Sequence, residues 1–586
     1  LNALPIGLLL LAVSFLLRNV FYGAAVVNFA VCALSIANRI KIEVRDEPVF
    51  PRDFALLKEV GSAMGTYDIN YPWGAIALVV LGSLVLAALG LVIGGKPFPV
   101  ARLRGWLGRI LGAAASMAVL VGLILTVYAS DGLYNSFRVS NAYYIPSVFN
   151  ELGFPYCFCH QFTTYPIDKP EGFDKGEAAS WETGEVTGLG QEVNVIMVMN
   201  EAFSDITDND AFAYTAEDDP LPNLHALRAD PHAITGHVVV PGFAGGTANT
   251  EFDVLTGMQT NALSATTTSS FRVVNRNLDS LFRVFDADGY QTSFFHPGDD
   301  WFYNRENVYR WFGAETTRFV DEMEDVAYKG RWVTDDYMAS LIEAEFESAV
   351  EDGEPLFHYT TTIQNHMSYT LDKYGEDYPY PDVPLNVSVS EEVETLLKVY
   401  IEGARDADAM LGDLVDYFSQ SGEPVVLVFF GDHLPYLGDN QLAYAELGMD
   451  VAVAEEDRED PLCSYETPYV IWANDAAAQA LDWEDTVASL DLPENGRLSA
   501  AFLGSTVLEL TGRAGESPWF DFLNQLRREV PVVQKKTYMV PDGTYIKERD
   551  LLDWAPAEGA DGTKISEDVL KWRQWSYYKL RYKDIG

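Results

Sequence analysis

Long apolar runs crowd the first 130 residues of the chain and are absent after them. Residues 4–17 and 20–37 form two such runs, broken by Arg18 and Asn19, and residues 74–95 and 106–128 form two more. A bilayer core of about 30 Å is crossed by roughly 20 apolar residues in a helix. The pattern therefore predicts a transmembrane helical bundle over residues 1–130, with four helices in view and the limits of the short first run left open. Residues 131–162 are rich in aromatics and suit a membrane surface, and residues 163–192, loaded with Pro, Gly and acidic side chains, read as a linker.

From Val193 onward the pattern changes to short apolar runs separated by helical stretches. Val193–Met199, His237–Val240, Gln291–Phe295, Leu356–Thr362 and Val425–Phe430 are the strand candidates. Such alternation predicts an α/β domain with a largely parallel central sheet. Val425–Phe430 has no polar alternation, as expected of a strand buried on both faces.

Charge sets the orientation and narrows the partners. Lys96, Arg102, Arg104 and Arg109 make the loop between the last two apolar runs basic, with no acidic residue. The positive-inside rule puts that loop in the cytoplasm and everything after Ser130 outside. Traced backward, Arg18 lies inside, residues 38–73 outside, and Leu1 on the outer side, so a further spanning helix is expected upstream. A cleaved signal peptide fits four apolar runs poorly. The net charge of −46 argues against a nucleic-acid partner, which needs a basic footprint. Of the four cysteines, Cys157, Cys159 and Cys463 lie in the outer part, where a bridge between Cys463 and one of the pair is one option.

Ligands of open α/β sheets gather at the carboxyl ends of the strands. Glu201 follows the run ending at Asn200; Asp432 and His433 follow Phe430-Gly431; His366 follows the run ending at Thr362. Singly, these read equally well as a helix-start carboxylate, a turn residue and a surface histidine. Together, two carboxylates, an imidazole and a hydroxyl form an oxygen-rich shell for one divalent ion, suited to Mn²⁺ or Mg²⁺ and open to Zn²⁺. The hydroxyl is that of Thr247, placed after Gly245-Gly246 where a helix begins. It reads as a helix cap or as a metal-activated nucleophile. Thr250, one turn on, should point away from the turn and serve as support at most. His296, Tyr303 and Arg305 follow another apolar run. Arg305 presents a fork matched to phosphate, the aromatics can pack on a small polyol or fill the core, and His296 and His366 can donate to phosphate or carry a proton.

Five segments in order carry a resemblance: Asn194–Glu201, Gly246–Phe252, His296 with Tyr303-Asn304-Arg305, Asn365–Tyr369, and Phe430–His433. They resemble the lipoteichoic acid synthase family, polytopic proteins of the bacterial plasma membrane with an extracytoplasmic sulfatase-like domain of the alkaline phosphatase superfamily. The likeness extends to the closing Tyr577–Tyr582 segment. It implies a catalytic domain over 193–515, completed by a C-terminal extension over 516–586. It implies that Glu201, Thr247, Asp432 and His433 hold the metal, with Thr247 the nucleophile and Mn²⁺ the favoured ion. His296, Tyr303, Arg305 and His366 would line the glycerol-phosphate site, Arg305 and His366 also serving catalysis. Tyr303 stands where a Trp is usual, and Asn200 and Ala202 also depart from the pattern. The second-metal ligands of alkaline phosphatases are not recognisable.

The implied activity is phosphoglycerol transfer from phosphatidylglycerol to a glycerol phosphate polymer or glycolipid acceptor, through a covalent threonine intermediate. Phosphoethanolamine transfer, glucan phosphoglycerol transfer and a non-catalytic polymer-binding role are the alternatives. A sulfatase is disfavoured, because Thr247 replaces the Cys or Ser that becomes formylglycine.

Overall fold

The computed structural model describes residues 1–45, 48–56, 71–93, 105–134, 136–137, 145–162, 167–183, 190–264, 269–300, 302–554, 561–583 and 585. The chain forms two compact units, residues 1–165 and 166–586.

In the first unit every apolar run becomes a helix: α1 (Ala3–Leu17), α2 (Val20–Arg45), α3 (Trp73–Val92) and α4 (Trp106–Leu123). The last continues through a π-helical turn, Ile124–Tyr128. By length and composition three spans can cross a membrane: Val20–Ile42, Trp73–Val92 and Trp106–Tyr128. The 15 residues of α1 rise only about 22 Å at 1.5 Å each, which is short for a bilayer core. The break at Arg18-Asn19 is a real corner. Arg18 is left-handed (φ 57°), and buried Asn19 accepts from Phe21 N–H at 2.9 Å while donating to the Gly90 carbonyl of α3 at 3.1 Å. One polar residue therefore starts α2 and pins it to α3. Lys96, Arg102 and Arg104 lie outside the described residues.

The second unit is built on an eight-stranded sheet. Its strands are β1 (Asn194–Asn200), β2 (Ala233–Val239), β3 (Gln291–His296), β4 (Thr316–Phe319), β5 (Leu356–Thr361), β6 (Val425–Gly431), β7 (Glu466–Ala473) and β8 (Arg497–Ser499), in the order β8-β2-β7-β6-β1-β5-β3-β4. All neighbours are parallel except β7, which runs against both β2 and β6. The sheet has a hydrophobic core on each face. Val195, Met197 and Met199 of β1 and Val426, Val428 and Phe430 of β6 enter one; Ile196, Val198, Val425, Leu427 and Phe429 enter the other. Unbroken apolar runs follow directly from that two-sided burial.

The observed strands match the five predicted runs with shifted ends and add three. β2 starts four residues before His237, and β4, β7 and β8 are additional. β7 carries Pro468 in its interior, which argues against a strand on sequence grounds because proline cannot donate to the ladder.

Four helices matter for the site: α5 (Thr247–Thr256), α6 (Arg305–Phe312), α7 (Glu391–Ser419) and α8 (Pro518–Glu529). Beyond them the antiparallel strands β9 (Val532–Gln534), β10 (Thr537–Met539) and β11 (Tyr545–Lys547) lead to α9 (Gly562–Arg581). The last turn of α5 leaves carbonyls without intrahelical donors. Trp519 Nε1 donates to Thr256 O at 2.7 Å and Trp572 Nε1 to Gly257 O at 2.9 Å, so α8 and α9 close the end of α5. Lys579, 1% exposed, anchors α9 by bonding Asp279 at 2.7 Å and Glu182 at 2.9 Å. Glu182 and Trp181, read from sequence as linker, thus pack on α9 within the second unit. All four cysteines are free thiols, so the bridge considered for Cys463 is not formed.

Replacing Trp572 with Phe keeps most of the ring but leaves the buried Gly257 carbonyl without its donor. The expected cost is about 1–3 kcal/mol, read as a lower melting temperature of the detergent-solubilised full chain; an unchanged melting temperature would contradict it.

Candidate active site

The carboxyl ends of β1 and β6 lie side by side, with Asn200 in register with Gly431. Gly431 is required by space: a Cβ there would sit 1.9 Å from the Phe203 carbonyl. That close approach lets the loop after β1 fold over the end of β6. Ala202, at φ 54°, donates its N–H to Asp432 Oδ1 at 2.8 Å. Glu201 donates its own N–H to Thr362 Oγ1 at 3.1 Å, tying in the end of β5.

Glu201, Asp432 and His433 are all buried, and their ligand atoms lie within 4.8 Å of one another. His433 Nε2 is 3.7 Å from Glu201 Oε1 and 3.2 Å from Asp432 Oδ2. His433 Nδ1 lies 2.9 Å from the Leu434 carbonyl. A carbonyl only accepts, so Nδ1 carries the proton and Nε2 presents its lone pair to the carboxylates. Asp432 Oδ2 is buried without a hydrogen-bond partner among the described residues. Burial, and then the charge of Asp432, push the Glu201 carboxyl up to about 8. Two clustered carboxylates, one oxygen unpaired, and a correctly oriented imidazole fit a divalent cation.

Thr247 is the first residue of α5 and is buried; the cap position belongs to Gly246, at φ 94°. Its hydroxyl has no hydrogen-bond partner among the described residues, so it does not serve as a cap. Thr250 does more than point away. Its hydroxyl donates to the Asp432 carbonyl at 2.8 Å, joining α5 to the metal-ligand strand end.

Arg305 opens α6 with its guanidinium fully buried. Nη2 donates to Glu251 Oε1 at 2.6 Å, and Nε lies 3.2 and 3.3 Å from the two carboxylate oxygens. Tyr309 donates to Glu251 Oε2 at 2.5 Å. The two-pronged phosphate fork expected of Arg305 is therefore spent on Glu251. Only Nη1 is without a partner among the described residues, leaving one charged edge for a ligand. Glu251 lies one helical turn after Thr247, so this ion pair fixes Arg305 to the helix that bears the threonine.

His296 ends β3, buried, with Nδ1 donating to the Thr361 carbonyl at 2.9 Å and Nε2 unpartnered among the described residues. Burial, and then the Arg305 charge, hold it well below the usual histidine range. In that neutral form Nε2 accepts a hydrogen bond and does not donate one. Tyr303, half-buried at φ 59°, packs its ring 5.2 Å from the Arg305 guanidinium. His366 is half-buried, donates Nδ1–H to the Met367 carbonyl at 2.8 Å, and has its ring 5.2 Å from that of Trp332. Trp301 lies outside the described residues.

A sulfatase family profile matches residues 193–513, more than half of the chain. The chain belongs to the sulfatase family. This sulfatase-family protein is 25% identical over 554 residues to a Rhizobium meliloti (strain 1021) protein named for cyclic beta-1,2-glucan modification, covering 90% of this chain and 79% of that one. Among solved structures it is similar to the Streptococcus pyogenes phosphoglycerol transferase GacH in complex with sn-glycerol-1-phosphate, at 18% identity and TM-score 0.48, over 70% of this chain and 95% of that chain. It is also similar to the lipoteichoic acid synthase LtaP of Listeria monocytogenes, at 18% identity and TM-score 0.49, over 70% and 99% of the two chains.

Sequence reasoning gave no role to Glu251, Tyr309, Trp332 or Lys373. Glu251 had a usable signal, its four-residue spacing from Thr247. The others reach the site only through tertiary packing.

Since the metal-free site holds a proton on Glu201 up to about pH 8, a cation must expel it at pH 7. Mn²⁺ titrations by calorimetry in buffers of different ionisation enthalpy should show about one proton released per ion and an affinity that rises with pH, levelling above about pH 8. No proton release, or a flat profile, would contradict this.

Proposed function

We propose that the chain is a metal-dependent phosphoglycerol transferase of the bacterial plasma membrane. The observation that carries the reading is the Thr247 hydroxyl, on a buried residue and free of cap duty, at the head of a helix bonded through Thr250 to the Glu201–Asp432–His433 cluster. Bound by Glu201, Asp432, His433 and Thr247 Oγ, a divalent cation would lower the pKa of the hydroxyl and screen the phosphoryl charge. Mn²⁺ suits the oxygen-rich set best, with Mg²⁺ or Zn²⁺ admissible.

Thr247 Oγ gives up its proton and attacks the phosphorus of phosphatidylglycerol, and the bond to the diacylglycerol oxygen breaks. That oxygen takes up a proton in exchange for the one Thr247 gave up, and glycerol phosphate remains esterified to Thr247. His296 Nε2 accepts from a glycerol hydroxyl, Arg305 Nη1 donates to a phosphoryl oxygen, and Tyr303 packs against the glycerol. In the second half an acceptor hydroxyl attacks the phosphorus and the bond to Thr247 breaks, with His366 Nε2 placed to take the hydroxyl's proton.

The spans Val20–Ile42, Trp73–Val92 and Trp106–Tyr128 support a multi-pass protein whose catalytic unit faces outward, where the donor lipid is membrane-borne. For the acceptor, a glycerol phosphate polymer or glycolipid is the first reading. A glucan is the second, favoured by the long alignment to the glucan modification protein.

The full-length protein, supplied with Mn²⁺ and labelled lipids, should release diacylglycerol from phosphatidylglycerol and not from phosphatidylethanolamine. Thr247→Ala should lower turnover by at least about a thousandfold, and mass spectrometry of the parent should find glycerol phosphate on Thr247. An active Thr247→Ala protein would overturn the nucleophile. Preference for the ethanolamine lipid would overturn the donor, and transfer to cyclic glucan in place of a polyglycerol phosphate primer would select the second acceptor.

A further inference from the structure

The loop that carries His366 is closed from behind by a buried lysine. Lys373 is 7% exposed, and its ammonium has a single hydrogen-bond acceptor among the described residues, Asn365 Oδ1 at 3.3 Å. The rings of Tyr369 and Tyr374 lie 4.8 and 5.0 Å from it. An ammonium offers three donors and is strongly hydrated, so such a burial is unfavourable unless nearby charge and ring faces offset it. The carboxylates that face it are Glu201, Asp335 and Asp406, with Arg331 opposing. Burial lowers Lys373 to about 7, and Glu201 and Asp335 pull it back up.

The acceptor of that ammonium is held on every side. The Asn365 carbonyl accepts from Tyr369 OH at 3.0 Å, and its Nδ2 donates to the Tyr400 carbonyl of α7 at 3.3 Å. Room for its amide exists because residue 403 is glycine: a Cβ there would lie 2.1 Å from Asn365 Oδ1 and 2.6 Å from Tyr374 OH. Tyr400 in turn sends its hydroxyl to the loop after β1, 3.0 Å from the carbonyls of Ala202 and Ser204. Lys373, Asn365 and Tyr400 thus link the residue preceding His366 to the loop that begins with Glu201. Nothing in the mechanism above uses Lys373.

We propose that Lys373 is a positioning residue of the active site: its bond to Asn365 sets the place of the adjacent His366 imidazole. This rests on the catalytic reading of His366.

Two measurements on the full-length protein test it. In the transfer assay, Lys373→Met is expected to lower kcat by about tenfold or more with KM for phosphatidylglycerol changed less than about threefold, and Lys373→Arg to recover most of that loss. Gly403→Ala, which crowds Asn365 and leaves the charge in place, is expected to reproduce the kcat loss. In a His366→Gln background, Lys373→Met is expected to cost less than about twofold, since the two act through one group. An equal cost in both backgrounds would overturn the positioning role.

The place of His366 can also be read without turnover. The rate at which diethyl pyrocarbonate modifies His366, followed by mass spectrometry, is expected to change severalfold in Lys373→Met and in Gly403→Ala and to stay near that of the parent in Lys373→Arg. An unchanged rate in Lys373→Met would overturn the positioning role. If no lipid donor is turned over but the modification rate shifts as described, the functional reading fails and the positioning assignment stands.

Discussion

The concentration of buried carboxylates at one end of the sheet is the constraint around which the second unit is organised. Glu201, Glu251, Asp335 and Asp432 are all removed from solvent, where an unpaired charge is strongly unfavourable. Each is met by a different device. Glu251 takes the Arg305 guanidinium and the Tyr309 hydroxyl; Asp335 takes the Asn200 amide; Asp432 takes the Ala202 N–H on one oxygen only. Glu201 is paired with no Lys or Arg among the described residues, and burial pushes its carboxyl up to about 8. The place where compensation runs out is therefore the cluster of Glu201, Asp432 and His433, whose donor set fits a divalent ion.

How the neighbouring residues are used follows from the same shortage. Arg305 cannot be both the partner of Glu251 and a two-pronged phosphate receptor, so the pair leaves a single edge of the guanidinium for other work. His296 cannot gain a proton in a buried pocket beside that guanidinium, so it stays an acceptor. The site therefore presents one directed cationic edge and one neutral acceptor.

The parallel strands and the residues at their ends were legible in the sequence because two-sided burial writes itself as unbroken apolar runs. That puts Glu201, Asp432, His433 and His366 after strand runs, and His296 after a further one, from the sequence alone. Thr247 was less legible: a hydroxyl after two glycines reads as a cap until Gly246 is seen to occupy the cap position. β7 was hidden by Pro468 and by its reversed direction. Least legible were the charges inside the protein. Lys373 looks like any loop lysine, and Arg305 like any phosphate ligand, since the partner that commits each one is fixed by packing and not by local pattern. Four apolar runs gave four helices, but only three have the length to cross a bilayer.

The two indole bonds at the end of α5 also order events in time. The helix presenting Thr247 ends at Gly257, and the indole that closes its last carbonyl comes 315 residues later. At roughly 5–20 residues per second, that helix waits about 15–60 s on the ribosome before Trp572 exists to complete it. The second unit therefore matures as a late event of synthesis, the helix that presents Thr247 finished by a segment translated long after the strands that carry Glu201 and Asp432.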